Sequence, residues 1–389
     1  MKILLSNKFY YNRGGDCIYT INVESLLKSK GHEVAIFSMQ HPDNFDSPYS
    51  KYFPSEIKFS PSPLKFLETM RRPLGSKEVK TKFSRLLDDF QPEIVHLNNI
   101  HSQLSPLIAE IAYNRGINVV WTLHDYKLLC PRYDCLRNGK ETCDRCFTDK
   151  KQVLKNRCMK NSCLASCIAY QEAEKWKKEK LEKYTTLFIA PSQFMANKMI
   201  SGGFNPNKIS VLNNFIDLDK IKKTAYEKED YYCYVGRLSP EKGIYTLVKA
   251  AQQLPNKLVI VGSGDLQDLP LHENIEYAGR LQWPKVKEIL EKARFSVIPS
   301  EWYENNPLSV IESLCLGTPV LGANIGGIPE LIKENISGNL FEPGNIAALK
   351  DSIKEMYRQS FDYSAIAKQA QSTYSSEKYY IDLMKFYNK

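Results

Sequence analysis

Pro299-Ser300-Glu301-Trp302-Tyr303-Glu304-Asn305-Asn306-Pro307-Leu308-Ser309-Val310-Ile311-Glu312 is the stretch on which the reading of this chain turns. An apolar run, Phe295-Ser296-Val297-Ile298, delivers the chain to it as a buried strand. Asn306 suits an N-cap and Pro307 the first helical position. The stretch therefore predicts a loop carrying Glu304 and then a helix carrying Glu312. At ~1.5 Å per residue, Glu312 lies about 8 Å along that helix. The helix N-terminus between the two carboxylates favours an anion such as phosphate. A phosphate pocket flanked by two hydroxyl-seeking carboxylates suits a nucleotide sugar. The glutamate spacing alone would fit an ordinary strand–loop–helix equally well.

The downstream residues decide between these. Gly317-Thr318-Pro319-Val320-Leu321 ends the helix and opens another short apolar strand, and Gly326-Gly327-Ile328-Pro329-Glu330 follows as a second glycine turn. The whole run resembles the signature of the retaining glycosyltransferases of family 4: two glutamates eight positions apart, a helix ending in Gly-Thr-Pro, then Gly-Gly-x-Pro-Glu. That resemblance implies a GT-B fold, an α/β architecture of two Rossmann-like doubly wound domains facing across a cleft.

The 389 residues exceed one ordinary core and predict two domains. With 43% hydrophobic and 25% charged residues, the composition is that of a soluble globular protein. No apolar run approaches the ~18 residues of a membrane span, and Met1-Lys2-Ile3-Leu4-Leu5-Ser6 is too short for a signal peptide. A cytoplasmic protein is the expectation. The formal charge of +9 fits solubility, or an anionic surface at the inner face of the cell membrane. Lys175-Trp176-Lys177-Lys178-Glu179-Lys180, and Leu64-Lys65-Phe66-Leu67 with Met70-Arg71-Arg72, mix basic and apolar groups as interfacial helices do.

Strand and helix patterns alternate, which predicts parallel sheets. In the first series Ile3–Leu5, Glu33–Ser38, Ile94–Leu97, Val119–Leu123, Leu187–Ala190 and Ile209–Leu212 read as strands. Helices are predicted near 16–30, 77–89, 104–114, 171–184 and 193–201. The second series starts at Tyr231–Val235 and closes with a helical stretch over 365–387. The expected domains are 1–215 (acceptor side, with a Cys-rich insertion at 126–170) and 231–372 (nucleotide-sugar side), joined by a linker at 216–230. A C-terminal helix over 373–389 is a candidate for packing back on the first domain.

Ligands of open α/β sheets sit beyond the carboxyl ends of the strands, and the polar and glycine signals fall there. Gly236-Arg237-Leu238-Ser239-Pro240-Glu241-Lys242-Gly243 follows a strand; Arg237 can grip phosphate oxygens bidentately and Lys242 adds a mobile charge. This run is also similar to the family's G-R-L-x-x-x-K-G motif, which implies that Arg237 and Lys242 bind the donor diphosphate. Gly14-Gly15 opens the first helix, and Gly15 is a candidate for close approach to the donor phosphate. His124, at the end of a strand, matches a family histidine near the donor's anomeric centre. His96 and Asn98-Asn99 end the preceding strand, as acceptor-side or structural residues. Gly262-Ser263-Gly264-Asp265 and Gly279-Arg280-Leu281 would by resemblance flank the nucleobase. Glu312 would then hold the ribose, and Glu304, with Asn305, Asn306, Pro307 and Leu308, the sugar and phosphate end.

Ten cysteines include seven between Cys130 and Cys167. Cys143-Asp144-Arg145-Cys146 is a C-x-x-C, and Cys130, Cys135, Cys143 and Cys146 are the first candidates for a structural zinc, with Cys158, Cys163 and Cys167 as alternatives. Iron–sulfur ligation and free thiols are the other readings. No catalytic metal is expected: Asp217-Leu218-Asp219 matches a bare D-x-D by chance, and the cations Arg237 and Lys242 suffice for a leaving diphosphate.

The expected function is a retaining glycosyltransferase of bacterial surface-polysaccharide type. It would move a hexose-type sugar from a UDP- or GDP-sugar to a glycan or lipid-linked hydroxyl acceptor. The family mechanism implied is front-face displacement without a protein nucleophile. The alternatives are a sugar-nucleotide epimerase of the same fold and a non-catalytic sugar-nucleotide-binding subunit. A nucleic-acid module on the cysteines would leave most of the chain unexplained, and no nucleic-acid partner is expected.

Overall fold

The computed structural model describes residues 1–57, 70–137, 139, 141–221, 227–264 and 272–388. The segment Leu64–Leu67 and Asp265 lie outside these residues. The contacts divide the chain into two compact units, Met1–Leu212 with Tyr380–Lys389, and Asn213–Tyr379.

The first unit is built on a six-stranded parallel sheet. Its strands are β1 (Lys2–Ser6), β2 (Glu33–Phe37), β3 (Ile94–Leu97), β4 (Asn118–Thr122), β7 (Leu187–Ala190) and β8 (Ile209–Val211), in the order β2-β1-β3-β4-β7-β8. Between β4 and β7, β5 (Leu136–Arg137) and β6 (Glu141–Thr142) form a small antiparallel hairpin inside the Cys-rich insertion. The central strands read as continuous apolar runs because a parallel sheet is covered on both faces; Ile3, Leu4 and Leu5 have no exposed surface.

The second unit repeats the plan with β9 (Tyr231–Val235), β10 (Lys257–Val261), β11 (Ile275–Gly279), β12 (Ser296–Ile298), β13 (Val320–Ala323) and β14 (Gly338–Phe341). Their order is β11-β10-β9-β12-β13-β14, all parallel. Alternate side chains of β9 enter two separate cores, Tyr231 and Cys233 on one face, Tyr232 and Tyr234 on the other, as a period of two requires. This is the doubly wound order in which the chain starts in the middle, winds to one edge and then to the other. It puts a topological switch point between β9 and β12, where ligands of such sheets bind.

Three boundaries differ from the sequence expectations, the first two through contacts with residues far away in the chain. The helix predicted near 171–184 is two helices, Cys163–Lys175 and Lys178–Tyr184. At the break, Trp176 Nε1 donates to the Pro73 carbonyl at 2.9 Å and Lys175 Nζ to that of Leu74. The helical stretch at 365–387 is also two helices, Tyr363–Tyr374 and Ser376–Tyr387; Ser375 between them bridges to Ile216, whose N–H donates to the Tyr374 carbonyl at 2.9 Å. The helix predicted from 104 begins at Leu107, after Pro106. The last residues belong to the first unit: Tyr387 OH lies 2.6 Å from His96 Nδ1.

Candidate functional site

In the second unit, the loops after β9 and β12 flank the switch point. The first carries Gly236–Gly243 and the second Pro299–Pro307. Lys242 Nζ lies 2.5 Å from Glu304 Oε1, so the two residues assigned to donor binding form an ion pair there. Ser300 Oγ and Trp302 Nε1 donate to the same oxygen at 2.7 and 2.9 Å. Burial by itself would raise the Glu304 pKa; Lys242 and these hydrogen bonds outweigh it and hold the carboxyl below its ordinary value. Glu304 is thus an ionised, oriented carboxylate at neutral pH.

Arg237 is 59% exposed; its guanidinium lies 2.5 Å from Glu241 Oε1, and its Nε donates to Ser239 Oγ. An exposed pair of this kind is worth only about 0–1 kcal/mol, so Arg237 can trade Glu241 for a phosphate at little cost. The β9 and β10 ends are pressed together: Gly236 N donates to the Val261 carbonyl and Leu238 N to that of Ser263, both at 3.0 Å. Gly264 is demanded by this approach, since a Cβ there would fall 1.8 Å from the Leu238 carbonyl oxygen. Gly262 N donates to the Gly279 carbonyl at 2.8 Å, which sets the exposed Arg280 at the next strand end along.

The helix after the quoted stretch spans Leu308–Cys315 and its N-cap is Pro307, with extended backbone. Asn306 therefore does not cap it, contrary to the expectation. Its Oδ1 accepts from Asn214 N at 2.8 Å and its carbonyl from Asn214 Nδ2 at 2.7 Å, so it is used in tying down residues far back in the chain. Asn305 lies in the loop beside it. Glu312, in the middle of the helix, has no cation to offset its burial, and desolvation pushes its pKa up to about 7 although some of its surface stays open. A pKa raised on folding favours the protonated form. Its contribution to stability is present below the ordinary value of 4.5 and is lost as pH rises through about 7. Glu312→Gln should therefore stabilise the protein at pH 8 and change little at pH 5, a difference that thermal melts at the two pH values will read.

In the first unit, the helix Gly15–Ser29 starts at the exposed Gly15 with Gly14 as its N-cap. His124 follows β4. Its Nε2 lies 3.0 Å from Asn98 Oδ1, and Tyr19 meets its ring edge-on at 4.7 Å. With an amide oxygen as partner, Nε2 carries the proton and Nδ1 keeps its lone pair. Burial lowers the His124 pKa to about 4, so the ring is neutral at pH 7. His96 is structural: it is fully buried, with Nδ1 on Tyr387 OH and Nε2 2.7 Å from Thr122 Oγ1. A cavity of about 330 Å³ opens between the insertion and the helices after it, lined among others by Lys127, Phe147, Glu172, Trp176 and Lys177. The buried Lys127–Glu172 ion pair, at 2.9 Å, sits in its wall.

Among the cysteines, Cys130 is a hub. Hydrogen bonds with Cys135 and Cys146 hold its pKa well below the ordinary thiol value and push both partners up. Cys143 meets Cys135 only through the backbone, its N–H donating to the Cys135 carbonyl at 2.7 Å. Cys158 and Cys167 are partly exposed and Cys163 fully so. Among the described residues, no three His, Cys, Asp or Glu side chains are grouped so as to hold a metal ion. Asp217 Oδ1 accepts from Asp219 N at 3.1 Å in a local turn. No helix among the described residues is long and apolar enough to cross a membrane.

Residues 14–220, more than half the chain, match the family model described as Glycosyltransferase Family 4. The chain belongs to that family. Residues 215–373 match the model of the group 1 glycosyl transferases. An uncharacterized 42.6 kDa protein of the Klebsiella pneumoniae cps region is 26% identical over 353 residues, covering 85% of this chain and 87% of the relative. The amylovoran biosynthesis glycosyltransferase AmsK of Erwinia amylovora is 25% identical over 49% of this chain and 52% of its own. Anabaena HepE in complex with UDP superposes with a TM-score of 0.69 at 16% identity over 99% of both chains. Sucrose-phosphate synthase from Thermosynechococcus elongatus gives 0.70 at 17%, over 100% of this chain and 98% of that one. Likeness at such identity speaks for the fold, which is the GT-B fold of two Rossmann-like units.

Within this glycosyltransferase the structure brings Lys242 and Glu304 into contact and lays the loops of Gly236, Arg237 and Gly264 side by side. Gly15 and His124 belong to the other unit. Sequence reasoning missed Ser300 and Trp302 as partners of Glu304, although both lie within the quoted stretch, and it missed Asn98 as the partner of His124.

Proposed function

We propose that this glycosyltransferase moves a hexose from a nucleoside diphosphate sugar to a hydroxyl of a surface-polysaccharide precursor, glycan or lipid-linked, with retention at the anomeric carbon. The observation that carries the reading is the Lys242–Glu304 pair at the switch point between β9 and β12. One cation and one ionised carboxylate side by side suit a ligand that has phosphate and sugar hydroxyls side by side. Arg237, Lys242 and the N-terminus of the helix Leu308–Cys315 would take the charge that develops on the leaving diphosphate. Glu304 would accept from hydroxyls of the transferred sugar, and Glu312 from those of the ribose. His124, neutral and with a free lone pair on Nδ1, would accept from the sugar without adding charge. The diphosphate itself would take the proton of the incoming hydroxyl, so no protein nucleophile is assigned.

The complexes of HepE with UDP and UDP-glucose make UDP-hexoses the first donors to try. The test is nucleotide release from a panel of UDP- and GDP-sugars, with Glu304→Ala as control and the anomeric configuration of the product read by NMR. Release from one donor, lost in the variant, with a retained configuration is the expected result. Binding of no nucleotide sugar would overturn the reading, and an inverted product would overturn its stereochemistry.

A further inference from the structure

Trp302 lies in the loop that carries Glu304 and has no part in the function so far. Its indole Nε1 donates to Glu304 Oε1 at 2.9 Å, and Lys242 Nζ stands 5.1 Å from the centre of its ring. Ser300 Oγ and Lys242 Nζ reach the same Oε1 at 2.7 and 2.5 Å. Three donors thus end on one carboxylate oxygen, while Oε2 accepts from none of the described residues. The backbone is held as well. Glu304 N donates to the Trp302 carbonyl at 2.8 Å, and Gly327 N donates to the Glu304 carbonyl at 2.7 Å. Gly326, at φ +63°, lies so close that a Cβ would fall 2.3 Å from that carbonyl oxygen. Only glycine fits such an approach in the left-handed region.

This arrangement does more than bury a carboxylate. An ammonium alone would leave the carboxylate free to rotate about its last bond, because a point charge has no preferred plane. A rigid indole N–H, a hydroxyl and an ammonium converging on one oxygen define that plane and leave the second oxygen open to a ligand. The indole also fixes the ammonium by a cation–π contact. It therefore couples the group suited to phosphate to the group suited to sugar hydroxyls.

We propose that Trp302 is a positioning residue for sugar recognition, holding Glu304 and Lys242 so that Glu304 Oε2 faces the hydroxyls of the donor sugar. The inference rests on the donor reading given above. It separates two kinds of affinity: the nucleotide part of the donor does not need Oε2, whereas the sugar part does.

The test is calorimetric titration of the full chain with UDP and with UDP-glucose, for the wild type, Trp302→Phe and Ser300→Ala. Phenylalanine keeps an aromatic ring beside Lys242, although a smaller one, and removes the N–H. The wild type should bind UDP-glucose more tightly than UDP. Trp302→Phe should lose about tenfold of that sugar-dependent gain, the scale of one hydrogen bond to a charged group, with UDP affinity unchanged within roughly twofold. Ser300→Ala, which removes a second donor to Oε1 without touching the ring, should move the same ratio in the same direction. An equal loss of UDP and UDP-glucose affinity in Trp302→Phe would show a merely structural role and overturn the proposal, as would no change in the ratio. A wild type that binds no nucleotide would remove the donor reading and this inference with it. A wild type that binds, with unchanged variants, removes the inference alone.

Discussion

Lys242→Ala should lower sugar transfer by roughly 100- to 1,000-fold, the cost of removing one charge-stabilising group from a transition state, and should also weaken the fold. The two effects have different origins. Transfer suffers because a leaving diphosphate loses a cation. Stability suffers because Glu304, only 7% exposed, loses its main counter-charge. Breaking a buried pair from one side costs roughly 3–5 kcal/mol, and Lys242, with 24% of its side chain exposed, belongs at about 3 kcal/mol. The pH dependence gives the sign. In the wild type the Glu304 pKa is depressed, so its stabilising contribution is present above the ordinary value of 4.5 and is lost as pH falls further. Without Lys242 the largest influence that lowers this pKa is gone, so the carboxyl rises from its wild-type value and less of the contribution remains. The melting midpoints of variant and wild type should accordingly differ most at pH 7.5 and approach each other as pH falls below 4.5. The double variant Lys242→Ala with Glu304→Ala should regain much of the stability and none of the activity. A double variant as unstable as the single one would show that Lys242 supports the fold through something other than this pair.

What could be read in the sequence was what is local. Glu304 stood out in the quoted stretch and Lys242 in a motif that follows a strand; Ser300 and Trp302, within five residues of Glu304, were there to be read as its partners and were missed. The alternation of apolar runs with glycine-punctuated helices was enough for two parallel sheets. What could not be read was set by residues far away in the chain. Asn306 looks like an N-cap, yet its carboxamide oxygen is taken by the backbone of Asn214, 92 positions earlier. The break at Trp176 depends on the carbonyls of Pro73 and Leu74, and the break at Ser375 on Ile216. His96 could be read as acceptor-side or structural, and what decides for the structural role is Tyr387, 291 positions on. Of the four cysteines that the spacing singled out, Cys130, Cys135 and Cys146 are joined by hydrogen bonds centred on Cys130, an arrangement that spacing alone does not give. Local chemistry was legible because its partners share a loop, and the rest depends on tertiary contacts that override local preference.

Trp121→Ala should destabilise the first unit by about 3–5 kcal/mol, the range for emptying a buried tryptophan site. Trp121 lies on β4 with none of its surface exposed, and it stacks on His101 with ring centres 5.5 Å apart. Its indole Nε1 donates to the Asn98 carbonyl at 2.9 Å. The substitution removes core volume and orphans that carbonyl. For a domain of this size, each kcal/mol shifts the melting midpoint by roughly 2–4 °C, so a loss near 10 °C is expected in calorimetry. Trp121→Phe separates the two terms. It keeps an aromatic ring and most of the core volume, loses the pyrrole part with its N–H, and leaves a buried carbonyl unsatisfied at a cost of about 1–3 kcal/mol on top of a smaller cavity term. The functional consequence follows from the next link, because the same Asn98 carries His124 through its Oδ1. On the proposed donor site, Trp121→Phe should therefore reduce transfer through a misplaced His124 while UDP affinity, which that proposal assigns to residues of the second unit, stays as it was. Loss of UDP affinity together with transfer would mean that the two units do not divide the work in this way. Unchanged transfer would mean that Asn98 holds His124 without help from Trp121.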